Sequence, residues 1–303
     1  MKKIMCFISI VFVSLEVFGF MNKEGLGTTS GQFLKLGAGA KASSMGEAFT
    51  GISDDATAIY WNPSGINRLN RKEMSLMYAV FFENISYNNL FYIHPTDIGN
   101  LGLGLQYLSY GSVEGLDEYG NPTENFTPTD LAITLSYARA IQGIDIGISL
   151  KYISSKIKET ATTIAFDIGL MKQLIEDKLS IGLVITNLGG SLKYISESSS
   201  LPMNIKIGCG YKIKKDIITS FDIVLPSDNE IIVAVGGEYN YRIKDGFIVS
   251  GRLGYNTITK DIDGLKGITL GLGANYKNYK LDYAFVPYGD LGNTHKISLG
   301  LKF

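Results

Sequence analysis

From about Arg71 to the last residue, apolar and polar positions alternate with a period of two. Ile144, Ile146, Ile148, Leu150 and Tyr152 alternate with Asp145, Gly147, Ser149 and Lys151. Met203, Ile205, Ile207, Cys209, Tyr211 and Ile213 do the same against Asn204, Lys206, Gly208, Gly210 and Lys212, and the pattern returns at 267–276 and 296–303. Successive side chains of a strand point to opposite faces, so this pattern predicts strands with one apolar and one polar face. Turn residues divide the region into about fourteen segments of roughly ten residues, the length that crosses a bilayer at barrel tilt. They fall near 72–82, 85–95, 99–110, 128–139, 143–156, 162–171, 178–187, 202–213, 216–225, 230–242, 246–256, 265–276, 279–287 and 294–303. The expected fold is all-β, a transmembrane antiparallel β-barrel of about fourteen strands.

Two further patterns test that expectation. If the last strand ends on the inner side, the outer connections include 111–127, 188–201, 257–264 and 288–293, and the inner ones 141–142, 214–215, 243–245 and 277–278. Long loops on one side and short turns on the other are what such barrels show, and a soluble sandwich has no reason to sort its loops by parity. The aromatic residues sort as well. Tyr137, Tyr211, Tyr239 and Tyr276 fall near the inner ends of their strands with Phe303 beside them, and Tyr107, Tyr152 and Tyr255 near the outer ends. All lie on the apolar face, where two girdles would meet the headgroups. The strand propensity of Tyr explains its abundance but not this placement.

The stretch Gly31–Leu69 breaks the pattern. It is rich in Gly, Ala and Ser, shows no sustained alternation or helical stripe, and contains the only tryptophan, Trp61. The polar face of the strands is small-sided, and a barrel of this size is too wide for side chains alone to fill. The stretch is therefore expected to be an N-terminal plug in the lumen. Its small residues allow irregular backbone beside a wall, and Pro63 fixes a turn before the first strand.

Before it, Lys2 and Lys3 precede an apolar run from Ile4 to Phe18, with small residues at Val17 and Gly19. This reads as a secretory signal cleaved near Gly19; the run is short for a membrane anchor and Glu16 interrupts it. The expected division is 1–19 signal peptide, 20–70 plug, and 71–303 barrel in the outer membrane. Cys6 leaves with the signal, so Cys209 stands alone and neither an intramolecular disulfide nor a cysteine metal site is expected. A net charge of −1 gives no electrostatic case for nucleic acid. No cofactor or metal is expected.

The run from Ala38 to Ile66, AGAKASSMGEAFTGISDDATAIYWNPSGI, resembles the N-terminal motif of the PorV/PorQ family of outer-membrane proteins. That family belongs with the FadL-like barrels, in which a comparable DDA…NPAG stretch precedes the first strand. Here it runs from Asp54-Asp55-Ala56 to Asn62-Pro63-Ser64-Gly65, with Ser64 in place of the more usual Ala. A terminal aromatic, Phe303, resembles the signal read by the outer-membrane assembly machinery. The resemblance implies a non-enzymatic barrel set in outer-membrane lipid. PorV-like members bind and escort secreted protein cargo in type IX secretion; FadL-like members pass small hydrophobic molecules through the wall.

Within the motif, Asp54 and Asp55 suit either a cation or lumenal lysine, or, as the weightier reading, the capping of turn amides. Trp61, Asn62, Pro63 and Gly65 read as locking the plug to the wall, with ligand or partner contact as the alternative. Asp261 to Gly264 spells D-I-D-G, a fragment of a calcium loop without its remaining ligands, and reads as an outer turn. Gly-x-Gly pairs starting at Gly102, Gly208 and Gly271 lie inside strands with no helix following, so they read as small lumenal positions. An enzyme would have only His94, at an inner turn, and His295, at the top of the last strand, as bases. An outer-membrane lipase built on His295 is the remote alternative, with no serine motif paired to it in sequence.

Overall fold

A computed structural model describes residues 25–83, 85–175, 178–258, 266–289 and 292–303. The expected signal peptide and the D-I-D-G turn lie outside the described residues. Fourteen strands close into one antiparallel barrel. In chain order they are β1 (Glu73–Val80), β2 (Ser86–Thr96), β3 (Gly99–Ser109), β6 (Thr129–Ile141), β7 (Ile144–Lys156), β8 (Thr160–Ile175), β9 (Leu179–Leu188), β12 (Asn204–Lys214), β13 (Ile217–Pro226), β14 (Ile232–Arg242), β15 (Phe247–Asn256), β16 (Ile268–Tyr276), β17 (Tyr279–Pro287) and β18 (Asn293–Lys302). Among the described residues four further strands form two hairpins outside the barrel sheet: β4 (Val113–Leu116) with β5 (Pro122–Phe126), and β10 (Ser191–Lys193) with β11 (Ser198–Ser200).

Each barrel strand pairs with its neighbour in sequence, and the circuit closes where β1 meets β18, with Glu73 opposite Lys302 and Val80 opposite His295. The Phe303 amide donates to the Lys72 carbonyl at 2.9 Å, extending the seam by one bond. Closure matters because an open edge in hydrocarbon would leave a row of unpaired amides. Short turns alternate with long connections. Between β6 and β7 the chain reverses through Gln142 and Gly143, both left-handed at φ 51° and 75°, the geometry a two-residue hairpin needs.

The two faces of the wall are reversed relative to a soluble protein. On β7, Ile148, Leu150 and Tyr152 are exposed while Ser149 and Lys151 are buried. The alternation fixed this outcome, since a one-residue slip would turn every charged side chain toward lipid. No described helix is long and apolar enough to cross a membrane; the crossing elements are strands.

The structure adds local detail that alternation did not carry. The connection 111–127 contains β4 and β5 because Asp117 Oδ1 accepts the amides of Tyr119 (2.9 Å) and Asn121 (2.8 Å), and Gly120 takes φ 81°. β8 is longer than expected, 160–175 against 162–171.

Residues 25–72 precede the wall and form short pieces only: 3-10 turns at Gln32–Lys35 and Pro63–Arg68, and helices α1 (Ala40–Ser44) and α2 (Ala58–Trp61). Their polar contacts reach the buried face of strands around the whole circuit. The Ala40 amide donates to Ser298 on β18 (2.8 Å), the Gly46 amide to Thr269 on β16 (3.0 Å), and Asn62 Nδ2 to the Leu170 carbonyl on β8 (3.3 Å). Asn100 on β3 donates to the carbonyls of Ile66 (2.6 Å) and Leu69 (2.8 Å). Trp61 is the centre of the apolar packing, edge-on to Phe49 at 6.2 Å and Tyr60 at 4.8 Å.

Glycine lets this irregular backbone come so close. A Cβ on Gly147 would overlap the Pro63–Ser64 peptide, and one on Gly254 would overlap Met45 and Gly46. Gly251, on the opposite face of the strand that holds Gly254, meets nothing. Leucine at Gly147 or Gly254 is therefore expected to destabilise the folded barrel by roughly 1–3 kcal/mol or more, and leucine at Gly251 to be tolerated. Heat-modifiable migration and urea unfolding of the detergent-folded protein measure this.

Candidate functional site

The motif residues come together, and each is held by local chemistry. Asp55 Oδ1 accepts from the Thr57 amide at 3.0 Å and its hydroxyl at 2.5 Å, closing a turn that opens α2. Its second oxygen faces Lys280 Nζ on β17 at 3.3 Å. Asp54 is half-exposed and pairs with Lys41 at 2.8 Å. Trp61 Nε1 donates to the Ala38 carbonyl at 2.8 Å, tying α2 back to the start of α1. Asn62 Oδ1 caps the next turn through the Ser64 amide (3.2 Å) and hydroxyl (2.7 Å), while its Nδ2 reaches the Thr50 carbonyl at 3.1 Å. Pro63 occupies the first position of that turn, where its missing N–H costs nothing. Gly65 packs flat on Ser53, with no room for a Cβ.

These residues join a larger ionic network that the motif did not announce. Arg252 lies between Glu238 (2.6 Å) and Asp282 (2.7 Å); Lys280 bridges Asp282 (3.2 Å) and Asp55 (3.3 Å); Lys41 stands 4.0 Å from Glu238. Burial alone would lower the Lys41 ammonium and raise the Asp55 carboxyl. The partners outweigh burial in both cases. Asp54 and Glu238 hold Lys41 above its ordinary value, while Lys280, Lys41 and the Thr57 hydrogen bonds bring Asp55 from 3.8 to about 2. The polar face of the strands carried a signal for this network: Glu238, Arg252, Lys280 and Asp282 all fall at polar positions of the alternation.

A cavity of about 330 Å³ lies between the N-terminal segment and the wall. Leu34, Leu36, Val224, Ile232, Trp61 and Tyr288 give it apolar sides. Lys151, Asn204, Lys206 and Glu47 give it polar ones. Lys206 Nζ stands 4.8 Å from the Trp61 ring and 5.5 Å from the Tyr60 ring, and it has no hydrogen bond or ion pair among the described residues. Next to the cavity the wall is irregular. β9 has one more residue than β8 between the pairs Phe166–Leu188 and Ile168–Ile185. Asn187 in this bulge is left-handed at φ 58°; its amide donates to Asp167 at 2.8 Å, and Lys151 bonds both Asp167 (2.8 Å) and Asn187 (2.9 Å). Bulges re-aim side chains and interrupt strand pairing, and here Asn187 of the bulge and its partner Lys151 both line the cavity.

The N-terminal segment makes contacts at both ends of the barrel strands. The Ser30 amide bonds the Ser200 carbonyl at 2.9 Å and Lys35 pairs with Asp228 at 2.9 Å, both at the end with long connections. Hydrogen bonds from Gln32, Thr29 and Lys35 outweigh burial and keep Asp228 below the usual carboxylate range. At the short-turn end, Asn67 and Arg68 bond Asp145 at 2.6 and 2.8 Å.

The girdle candidates Tyr107, Tyr152, Tyr211, Tyr239, Tyr255, Tyr276 and Phe303 are all exposed on the outer surface, and Tyr137 is half-exposed with its hydroxyl on the Ile98 carbonyl at 2.6 Å. His94 lies within β2 rather than in a turn, next to Tyr92 at 3.2 Å. His295 bonds the Tyr283 hydroxyl at 2.7 Å; no serine or carboxylate is hydrogen-bonded to either histidine among the described residues. Among the described residues no group of His, Cys, Asp and Glu is placed to hold a metal.

The fold and this interior define an outer-membrane β-barrel with an ordered N-terminal segment. Residues 21–240 match the family described as Type IX secretion system protein PorV, and the chain belongs to that family. The UPF0164 protein of Treponema pallidum (strain Nichols) is 28% identical over 172 residues, 51% of this chain and 43% of that protein. The chain thus spans less than half the length of that relative. The Pseudomonas putida toluene transporter TodX superposes with a TM-score of 0.59 at 12% identity, covering 87% of this chain and 96% of that one. The Ralstonia pickettii toluene transporter TbuX gives 0.58 at 14% identity over 88% and 98%, and a Pseudomonas aeruginosa FadL homologue gives 0.55 at 11% over 94% and 99%. At these identities the likeness is one of fold: a FadL-like barrel.

The coupling of Asp55 to its lysines makes a test. A carboxyl with a depressed folded value stabilises the fold above its unfolded value and loses that contribution as pH falls through the folded one. Asp55 should contribute on the order of 2 kcal/mol at neutral pH, fading between about pH 4 and pH 2. The gap in urea-unfolding stability between wild type and Asp55→Asn should therefore be open at neutral pH and close in acid.

Proposed function

We propose that the protein is a non-enzymatic barrel of PorV/PorQ type that binds or escorts exported protein cargo, in a role like that of type IX secretion. The observation that carries this reading is the PorV family match over residues 21–240. In it, residues 20–70 are a plug. Asp54, Asp55, Trp61, Asn62, Pro63 and Gly65 hold that plug to the wall, a role supported by their hydrogen bonds and close packing. Residues 1–19 are a cleaved export signal, the exposed tyrosines and Phe303 form headgroup girdles, and Phe303 is read by the assembly machinery. No cofactor takes part. The test is isolation of the tagged full chain from cross-linked outer membranes of its native cells. An exported protein held in stoichiometric amount is the expected result; recovery of lipid and assembly proteins alone overturns it.

A second reading is favoured by the amphipathic cavity beside the β9 bulge: passage of small hydrophobic molecules. Trp61 lines that cavity and is the only tryptophan, so its emission reports occupancy directly. Titration with a monoaromatic hydrocarbon should shift the emission saturably. Val224→Phe, which narrows the cavity, should weaken the response roughly tenfold or more. A linear response, unchanged by Val224→Phe, would exclude this reading.

A further inference from the structure

The two rims of the barrel differ in charge. At the short-turn end, an arc from the β8–β9 turn to the β16–β17 turn exposes Lys172, Lys178, Lys212, Lys214, Lys215 and Lys277. Two acids at this end are already engaged, Asp216 with Arg242 (2.9 Å) and Asp145 with Arg68 (2.8 Å). By sequence the same turns also contain Glu176, Asp177 and Asp245, fewer than the bases they accompany. The long-connection end has the opposite balance: Glu114, Asp117, Glu118, Glu124, Glu159 and Glu197 are exposed there against Lys156, Lys158, Lys193 and Lys266. A net charge of −1 for the whole chain conceals this separation.

Aromatic rings on the outer wall lie just inside the basic arc, and at its Lys277 end it adjoins an apolar groove. Tyr211, Tyr239, Tyr276 and Tyr279 are exposed just inside it, at the level where such rings meet headgroups. Lys277 Nζ lies 5.1 Å from the Tyr276 ring centroid. Below that ring runs a groove of about 370 Å³ bounded by Met74, Leu76, Phe247, Tyr276, Leu281 and Leu299. A cation at the rim, a ring at the boundary and an apolar trough beneath match the three zones of a phospholipid: anionic headgroup, interface and acyl chain.

We propose that the short-turn rim, from the β8–β9 turn to the β16–β17 turn, is a binding surface for anionic phospholipids of the adjoining leaflet, with one acyl chain seated in the groove between Phe247 and Leu299. Basic side chains at a membrane surface attract anionic lipid additively, and each is worth roughly fivefold in binding. The opposite rim has no basic excess among the described residues and does not share this preference. The surface thus orients the barrel and selects its lipid neighbours, whatever passes through or binds to it.

Native mass spectrometry of the detergent-folded full chain, offered equal amounts of phosphatidylglycerol and phosphatidylcholine with identical acyl chains, tests this. Wild type should retain phosphatidylglycerol preferentially. Lys212→Gln/Lys214→Gln/Lys215→Gln should reduce that retention by tenfold or more, and Lys277→Gln by roughly fivefold. Lys156→Gln/Lys158→Gln at the opposite rim should leave it unchanged. Leu281→Trp, which fills the groove, should weaken retention of both lipids while heat-modifiable migration confirms the fold. Equal retention of the two headgroups, or equal losses from variants at the two rims, would overturn the proposal.

Discussion

A closed barrel satisfies its own backbone and leaves an enclosed polar face; an irregular segment of short turns satisfies only part of its own backbone and needs partners for the rest. Each completes the other here. Asp222 on β13 accepts the amides of both Phe49 (3.0 Å) and Thr50 (2.8 Å). Lys296 on β18 donates to the Gly37 carbonyl (2.9 Å) and the Ser43 hydroxyl (3.0 Å), and Ser180 on β9 donates to the Gly51 carbonyl (2.5 Å). Buried backbone groups without partners are costly, so the conformation of residues 31–69 is specified by the side chains of the wall as much as by its own sequence.

The ionic contacts reinforce this dependence. Replacing a buried ion pair by apolar groups is often neutral, whereas removing one partner is strongly unfavourable. A network such as Glu238–Arg252–Asp282–Lys280–Asp55 therefore adds less to net stability than to uniqueness. It penalises any placement of the segment that leaves Lys280 or Glu238 without a counter-charge. Lys206 stands outside this pairing: among the described residues it makes no ion pair or hydrogen bond, and its ammonium lies beside the Trp61 and Tyr60 rings in a cavity that Glu47 also lines. The segment thus has a tightly bonded middle and, toward the long connections, a region where polar capacity is left over for something else.

Much of this was legible along the chain. The period of two, the sorting of connections by length and the ends at which Tyr107, Tyr137, Tyr152 and Tyr276 fall are local facts, and the barrel strands fall within a few residues of where they place them. The hairpin β4–β5 was also written locally, in the carboxylate of Asp117 and the glycine at 120, but alternation does not register turn chemistry. The motif from Asp54 to Gly65 pointed to a site without disclosing its partners.

The sequence by itself determined the strands, their faces and the family, because alternation, turn residues and a compact motif depend only on neighbours in the chain. Tertiary structure alone decided that Asp55 meets Lys280, that Asn62 meets β8, and that a cavity opens between Leu34 and Val224. It also decided that lysines scattered from 172 to 277 form one rim. These pairings join residues up to 225 positions apart. They follow from the closure of the barrel and from where residues 25–72 meet its strands, and no local period encodes them.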